Sequence, residues 1–103
     1  MSPRGLARLA QRGIDVPAQV VQRDGTLVSG RTIPYPVFID GIGLPSAPLG
    51  EDRGHPALLH LREVFVTPPA DGPITYEPCL EIQVADIASC AVSYRSYFPF
   101  TNN

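Results

Sequence analysis

From Leu80 onward apolar and polar residues alternate, with Leu80, Ile82 and Val84 on one side and Glu81 and Gln83 on the other. That period of two marks a half-buried strand. A turn over Ala85–Ser89 places the run Cys90–Tyr94 opposite it, as an antiparallel hairpin. In this register Val84 faces Cys90, Ile82 faces Val92 and Leu80 faces Tyr94, so one apolar face is shared. Glu81 then lies near Ser93 with Arg95 on its diagonal, close enough for a weak cross-strand pair. The hairpin is the expected template on which the rest of the chain packs.

The remaining chain reads as short elements broken by turns. Ser2-Pro3 is an N-cap followed by proline at the first helical position. It predicts a helix over residues 2–12, with Leu6, Ala7, Leu9 and Ala10 as its apolar stripe, Arg4, Arg8 and Arg12 opposite, and Gly13 as its stop. First strands follow over residues 14–40. Val16–Gln22 leads into Asp24-Gly25, a dipeptide that suits a type I′ hairpin turn. Next comes Thr26–Ser29, then Gly30 as a bend or bulge. Val37, Phe38 and Ile39 read as a short strand, and Pro34 and Pro36 keep the approach to it on a sheet edge. Residues 41–56 read as a long loop rich in Gly and Pro, with Ile42 and Leu44 exposed and Glu51, Asp52 and Arg53 at its tip. Residues 57–98 supply the core sheet. In Ala57–Thr67, the longest strand, Leu59, Leu61 and Phe65 share a face with Glu63, while Leu58, His60, Arg62, Val64 and Val66 share the other.

At 103 residues the chain is one domain. Twelve prolines and nine glycines fit many short strands and argue against a helical bundle. The fold class expected is mainly β: a small antiparallel barrel or sandwich with a short N-terminal helix and one long loop. A net charge of −2 gives no field that would gather nucleic acid or an anionic membrane. All eight cations are Arg, as a GC-rich genome would give; the alternative is selection for bidentate contacts across a protein interface, which Arg suits better than Lys. No apolar run is long enough to span a bilayer, and the first residues lack the continuous apolar core of a secretory signal. The protein is therefore expected to be made and kept in a cytoplasm.

Candidate chemistry is sparse. In the hairpin register Cys79 and Cys90 fall at opposite ends and on opposite faces, too far apart to bridge, so Cys90 is expected as a small buried apolar residue and Cys79 as a free thiol. His55 and His60 are five apart and fall on opposite faces of a strand, and no ligand-pair spacing typical of zinc is present. His60 is expected as a partly buried ring with a satisfied nitrogen. A nucleophilic pair of Cys79 or Cys90 with His60 lacks any supporting local motif. Glu63, Glu77, Glu81 and Asp86 read as solvated strand faces, and Gly41-Ile-Gly43 is a loop rather than a dinucleotide fingerprint. Tyr94, Tyr97, Phe98 and Phe100, with Arg95, form an aromatic concentration that reads as core packing plus an interface anchor. No catalytic residue, cofactor or metal is assigned.

The N-terminal half places a short amphipathic helix before Gly13-Ile-Asp-Val16, then Val20-Val-Gln-Arg-Asp-Gly-Thr26, then Val37-Phe-Ile-Asp40. This order resembles the small head–tail joining proteins of tailed bacteriophages, the head-completion or stopper class, over the residues up to Asp40. The resemblance implies a compact β-barrel with the helix docked outside it and long loops. It implies a ring of copies in the neck of a virion assembled in the host cytoplasm, contacting portal or adaptor and tail proteins. The interface expected comprises Ile42, Leu44, Glu51, Asp52, Arg53, Tyr97, Phe98 and Phe100. Two other classes also fit the sequence. One is a small β-rich inhibitor or immunity-type protein binding a single partner. The other is a small enzyme using Cys79 or a histidine–carboxylate pair.

Overall fold

The computed structural model describes residues 1–41, 57–70 and 72–92. The chain begins with helix α1, Pro3–Gln11. The Ser2 hydroxyl accepts the Gly5 amide at 3.0 Å, which satisfies a donor with no partner inside the helix. At the other end Gly13, at φ 79°, donates to the Ala10 carbonyl while Ile14 donates to that of Leu9. This is the paired closure that a glycine just past a helix permits.

Strand β1, Pro17–Gln22, turns back as β2, Leu27–Thr32. The turn is not type I′. Gly25 alone crosses to positive φ (95°), because the Asp24 carboxylate accepts the Thr26 amide at 2.9 Å and Asp24 stays on the ordinary side. Gly25 donates to the Gln22 carbonyl, and Gln22 pairs with Thr26 across a three-residue loop. That is a type I turn followed by a left-handed residue, the next most common hairpin.

Thr32 fastens the α1–β1 connection to β2. Its buried hydroxyl donates to the Ile14 carbonyl at 2.6 Å and accepts the Val16 amide at 3.0 Å. Thr32→Val keeps the shape but strands both groups, so a loss of about 1–3 kcal/mol is expected. The midpoint of urea denaturation measures it.

After β2 the expected strand over Val37–Ile39 is instead part of a helix, α2, Tyr35–Gly41. Proline is as much at home in the first turn of a helix as at a sheet edge. Here the Pro34 carbonyl accepts the amides of both Val37 and Phe38. Residues 42–56 and 93–103 lie outside the described residues, as do the loop and the last strand residues expected there. Strand β3, Leu58–Thr67, β4, Thr75–Gln83, a 3-10 turn over Val84–Asp86 and β5, Ile87–Val92, complete the chain.

The sheet has five antiparallel-paired strands in the order β4-β3-β2-β1-β5. The expected hairpin between the strands around Leu80–Val84 and Cys90–Tyr94 therefore does not form. Leu80 pairs with Leu61 and Ile82 with Leu59, whereas Cys90 pairs with Val20 on the far side of the sheet. The alternation marked the first of these strands, but Ile87–Ser89, expected as turn, already belongs to β5, and the pattern said nothing about partners. Four strand gaps make a flat sheet about 19 Å wide. Three residues between Gln83 and Ile87 span at most about 13–14 Å. The sheet must coil so that the end of one edge strand reaches the start of the other. Both ends of the link are tied down, Val84 donating to the Ala57 carbonyl and Arg23 to that of Asp86, each at 2.8 Å.

The concave face of this coil holds the main core: Ala18, Val20, Val28, Leu59, Leu61, Val64, Ile82 and Ile87, with Leu6 and Ala10 of α1 among them. The helix is thus part of the core and not docked on the outside. One irregularity redirects the strands. Between Ser29↔Phe65 and Arg31↔Arg62, β3 advances one residue more than β2, with Glu63 at φ 54°. Leu59 and Leu61, expected on one face with Glu63 and Phe65, face inward, but beyond this bulge Val64 takes the buried position and Phe65 points out. Gly30 sits against the bulge. A Cβ there would lie 3.0 Å from the Arg62 carbonyl oxygen and 3.1 Å from a Val64 methyl.

Candidate functional site

The outer face of the sheet divides at the Glu63 bulge into two surfaces of different character. On the α2 side, register puts His60 beside Glu81 and Arg62 beside Cys79 on neighbouring rungs. Helix α2 covers them, with Tyr35 and Phe38 against the His60 ring at centroid distances of 5.2 and 4.6 Å. His60 is only 2 % exposed, and its Nε2 lies 2.8 Å from a Glu81 carboxylate oxygen. Ile33 and Phe38 form a second small core here, with Tyr35 and Cys79 packed on it. His60, expected as partly buried with a satisfied nitrogen, is instead almost fully buried, and its Nε2 is engaged as expected.

The fold brings Cys79 and His60 to one face, the arrangement a nucleophilic pair would need. The chemistry points elsewhere. Burial pushes the Cys79 thiol up, the nearby Arg62 charge only partly offsetting it, and the ring nitrogen of His60 at Nε2 is engaged by Glu81. A protonated thiol is a weak nucleophile. Cys90 is on the opposite edge strand, its thiol also pushed up by burial, and both cysteines are free. Their separation comes from strand order, not from the two ends of one hairpin. Among the described residues no group of three or more His, Cys, Asp or Glu side chains is arranged to hold a metal; His55 lies outside them.

Next to this cluster Asp15 bridges two arginines, Arg31 Nε at 2.7 Å and Arg62 at 2.9 Å. The two cations face each other across β2 and β3, and the carboxylate between them relieves their repulsion. Partial burial acts to raise the Asp15 pKa, but the hydrogen bonds and charges of both arginines outweigh it and hold the carboxyl below its ordinary value. A carboxyl lowered on folding contributes stability that is present above its unfolded pKa of about 3.9 and lost as pH falls through the folded value. Asp15 is 42 % exposed, so solvent screening limits the contribution to about 1 kcal/mol or less. Asp15→Asn is expected to flatten the acid limb of a stability-versus-pH curve below about pH 4, with little effect on its slope near neutrality.

On the other side of the bulge the outer face is uncharged. Val21, Leu27, Phe65 and Tyr76 share it through the registers Val21↔Leu27, Ser29↔Phe65 and Phe65↔Tyr76. Phe65 and Tyr76 are 51 % and 52 % exposed, with ring centroids 5.2 Å apart, and Ile74, just before β4, is 62 % exposed. Large aromatics held half in water and against each other resemble interface anchors more than stray surface residues. Alternation sets Phe65 on one face with Leu59 and Leu61, and nothing in it singles out Tyr76. Only the extra residue at Glu63 turns them outward, and alternation alone carries no sign of it.

A cleft of about 320 Å³ is lined by Gln22, Arg23, Asp24 and Asp86. Arg23 spans it, its Nε donating to the Ala85 carbonyl at 2.8 Å, so the cleft is the joint that anchors the 3-10 turn. The interface expected from sequence, Ile42, Leu44, Glu51, Asp52, Arg53, Tyr97, Phe98 and Phe100, lies outside the described residues. Comparison with family models and with curated proteins finds no match.

Proposed function

We propose that this chain is a structural assembly protein of a tailed-phage-like particle, forming a ring of copies at the head–tail connection. The observation that carries the reading is the exposed aromatic pair Phe65–Tyr76 on an uncharged outer sheet face. We read the sheet as a small barrel left open between its edge strands, with α1 packed on its core. Such a body presents rigid faces and two strand edges, which suits contacts with copies of itself and with proteins above and below it. Head-to-tail contacts of that kind close into rings when the rotation permits. The edges differ in protection, since Pro78 and its flanking Glu77 and Glu81 blunt β4 while β5 carries only small uncharged residues outward. The half-buried Cys79, its thiol pushed up, and the Glu81-bound His60 favour scaffold over enzyme.

Size-exclusion chromatography with light scattering, run with and without neighbouring portal or adaptor and tail proteins, tests the reading. Assembly into a multimer of defined mass is expected in at least one of these conditions. A chain that stays monomeric and binds none of them contradicts it. A one-to-one complex with a single unrelated protein would instead support an inhibitor or immunity-type role.

A further inference from the structure

We propose that the outer side of α1 binds the phosphate backbone of a nucleic-acid duplex without regard to sequence, an inference that does not depend on the ring reading. Residues 1–14 carry three arginines and no acidic residue, while the rest of the chain sets five arginines against ten acidic residues. The net charge of −2 therefore conceals a cationic helix on an acidic body. From residue 4 to residue 12 the exposed positions are Arg4, Arg8 and Arg12 alone. None of the three pairs with an acidic side chain among the described residues. The helix dipole favours Arg8 and Arg12 near its C-terminal end but opposes Arg4 in the first turn. Like charges four residues apart also repel along the row. The helix's own stability thus does not explain the full stripe.

The occupant follows from what this surface has and lacks. A rise of about 1.5 Å per residue sets the three arginines in a row about 12 Å long. A duplex offers regular rows of phosphates whatever its sequence, and a guanidinium binds a phosphate through two parallel hydrogen bonds. A protein partner would need an aromatic or aliphatic anchor near the centre of the contact, and between Arg4 and Arg12 none is exposed. A bilayer would need an apolar face to insert, and Leu6, Ala7 and Ala10 are already buried in the fold. Charge alone is left to do the binding, and phosphate is the chemistry that complements it.

Fluorescence anisotropy of a short labelled DNA duplex gives the test. With three phosphates neutralised per copy, binding is expected to weaken about 40-fold between 50 and 200 mM NaCl and to change little when the duplex sequence is scrambled. Arg4→Gln/Arg8→Gln/Arg12→Gln is expected to lose about 10-fold or more at the lower salt, together with most of the salt dependence. Gln19→Glu/Gln83→Glu/Ser89→Glu shifts the net charge equally from exposed strand positions and is expected to lose no more than about 3-fold. Far-UV circular dichroism checks that each variant is folded. Should the triple arginine variant unfold, Arg8→Gln alone is expected to lower the salt slope by about one phosphate's share. A wild-type chain that leaves the duplex unbound, an arginine variant that binds as the wild type does, or a charge control that falls as far overturns the inference. So does polyglutamate bound as tightly as the duplex, which would assign the stripe to an acidic protein. None of these outcomes bears on ring formation.

Discussion

Leu61→Ala is expected to lower the unfolding free energy by about 2–5 kcal/mol, enough to unfold a large share of a domain this small at 37 °C. Leu61 is fully buried in β3, opposite Leu80 and beside Thr32, in a core that α1 closes from the concave side. Three features keep the site from collapsing around the lost methyls. The Gly30 backbone is held close by the Arg62 carbonyl, the bulge fixes Val64, and the buried Thr32 hydroxyl pins the strand end. The cost should therefore fall in the upper part of the range. Calorimetric or urea unfolding reads it directly, and a loss below about 1 kcal/mol would mean that this position is not at the centre of the core.

His60→Ala is expected to be nearly as damaging, at about 2–4 kcal/mol, although histidine is a polar residue. The ring joins α2 to the outer face of the sheet. It touches Tyr35 and Phe38 and holds the Glu81 carboxylate at 2.8 Å. Its removal opens a cavity beneath α2 and frees Glu81, which is 38 % exposed and can turn to water. The loss should thus come from packing more than from the Nε2–carboxylate contact. Glu81→Gln, which keeps a hydrogen-bonding oxygen, is expected to cost under half as much. Equal losses for the two variants would show that the pair's charge, not the ring's contacts, secures the helix.

Local signals were legible in the residues: the Ser2 cap, the Gly13 stop, the first hairpin and the shared face of Leu59 and Leu61. Each is dictated by neighbours a few positions away. Partner choice was not legible. Ile82 and Cys90 lie on strands that look ready to pair, yet the chain sends them to opposite edges. A coiled sheet lets three residues carry the chain between those edges, and alternation records a strand's faces without its neighbours. Pro34 and Pro36 read as an edge because the first turn of a helix accepts proline equally well. The outward turn of Phe65 depends on one extra residue whose Glu side chain carries no mark of a bulge. The surface with the best claim to function was hidden for that reason, and attention fell on the aromatic run at the C-terminal end instead.

Direct imaging of the wild-type chain with its neighbouring assembly proteins, by electron microscopy with averaging, tests the assembly role most sharply. Closed rings with rotational symmetry, each copy contacting its neighbours through unlike surfaces, are the expected result. Single copies, or pairs related by a two-fold axis with the aromatic faces packed on each other, would contradict it.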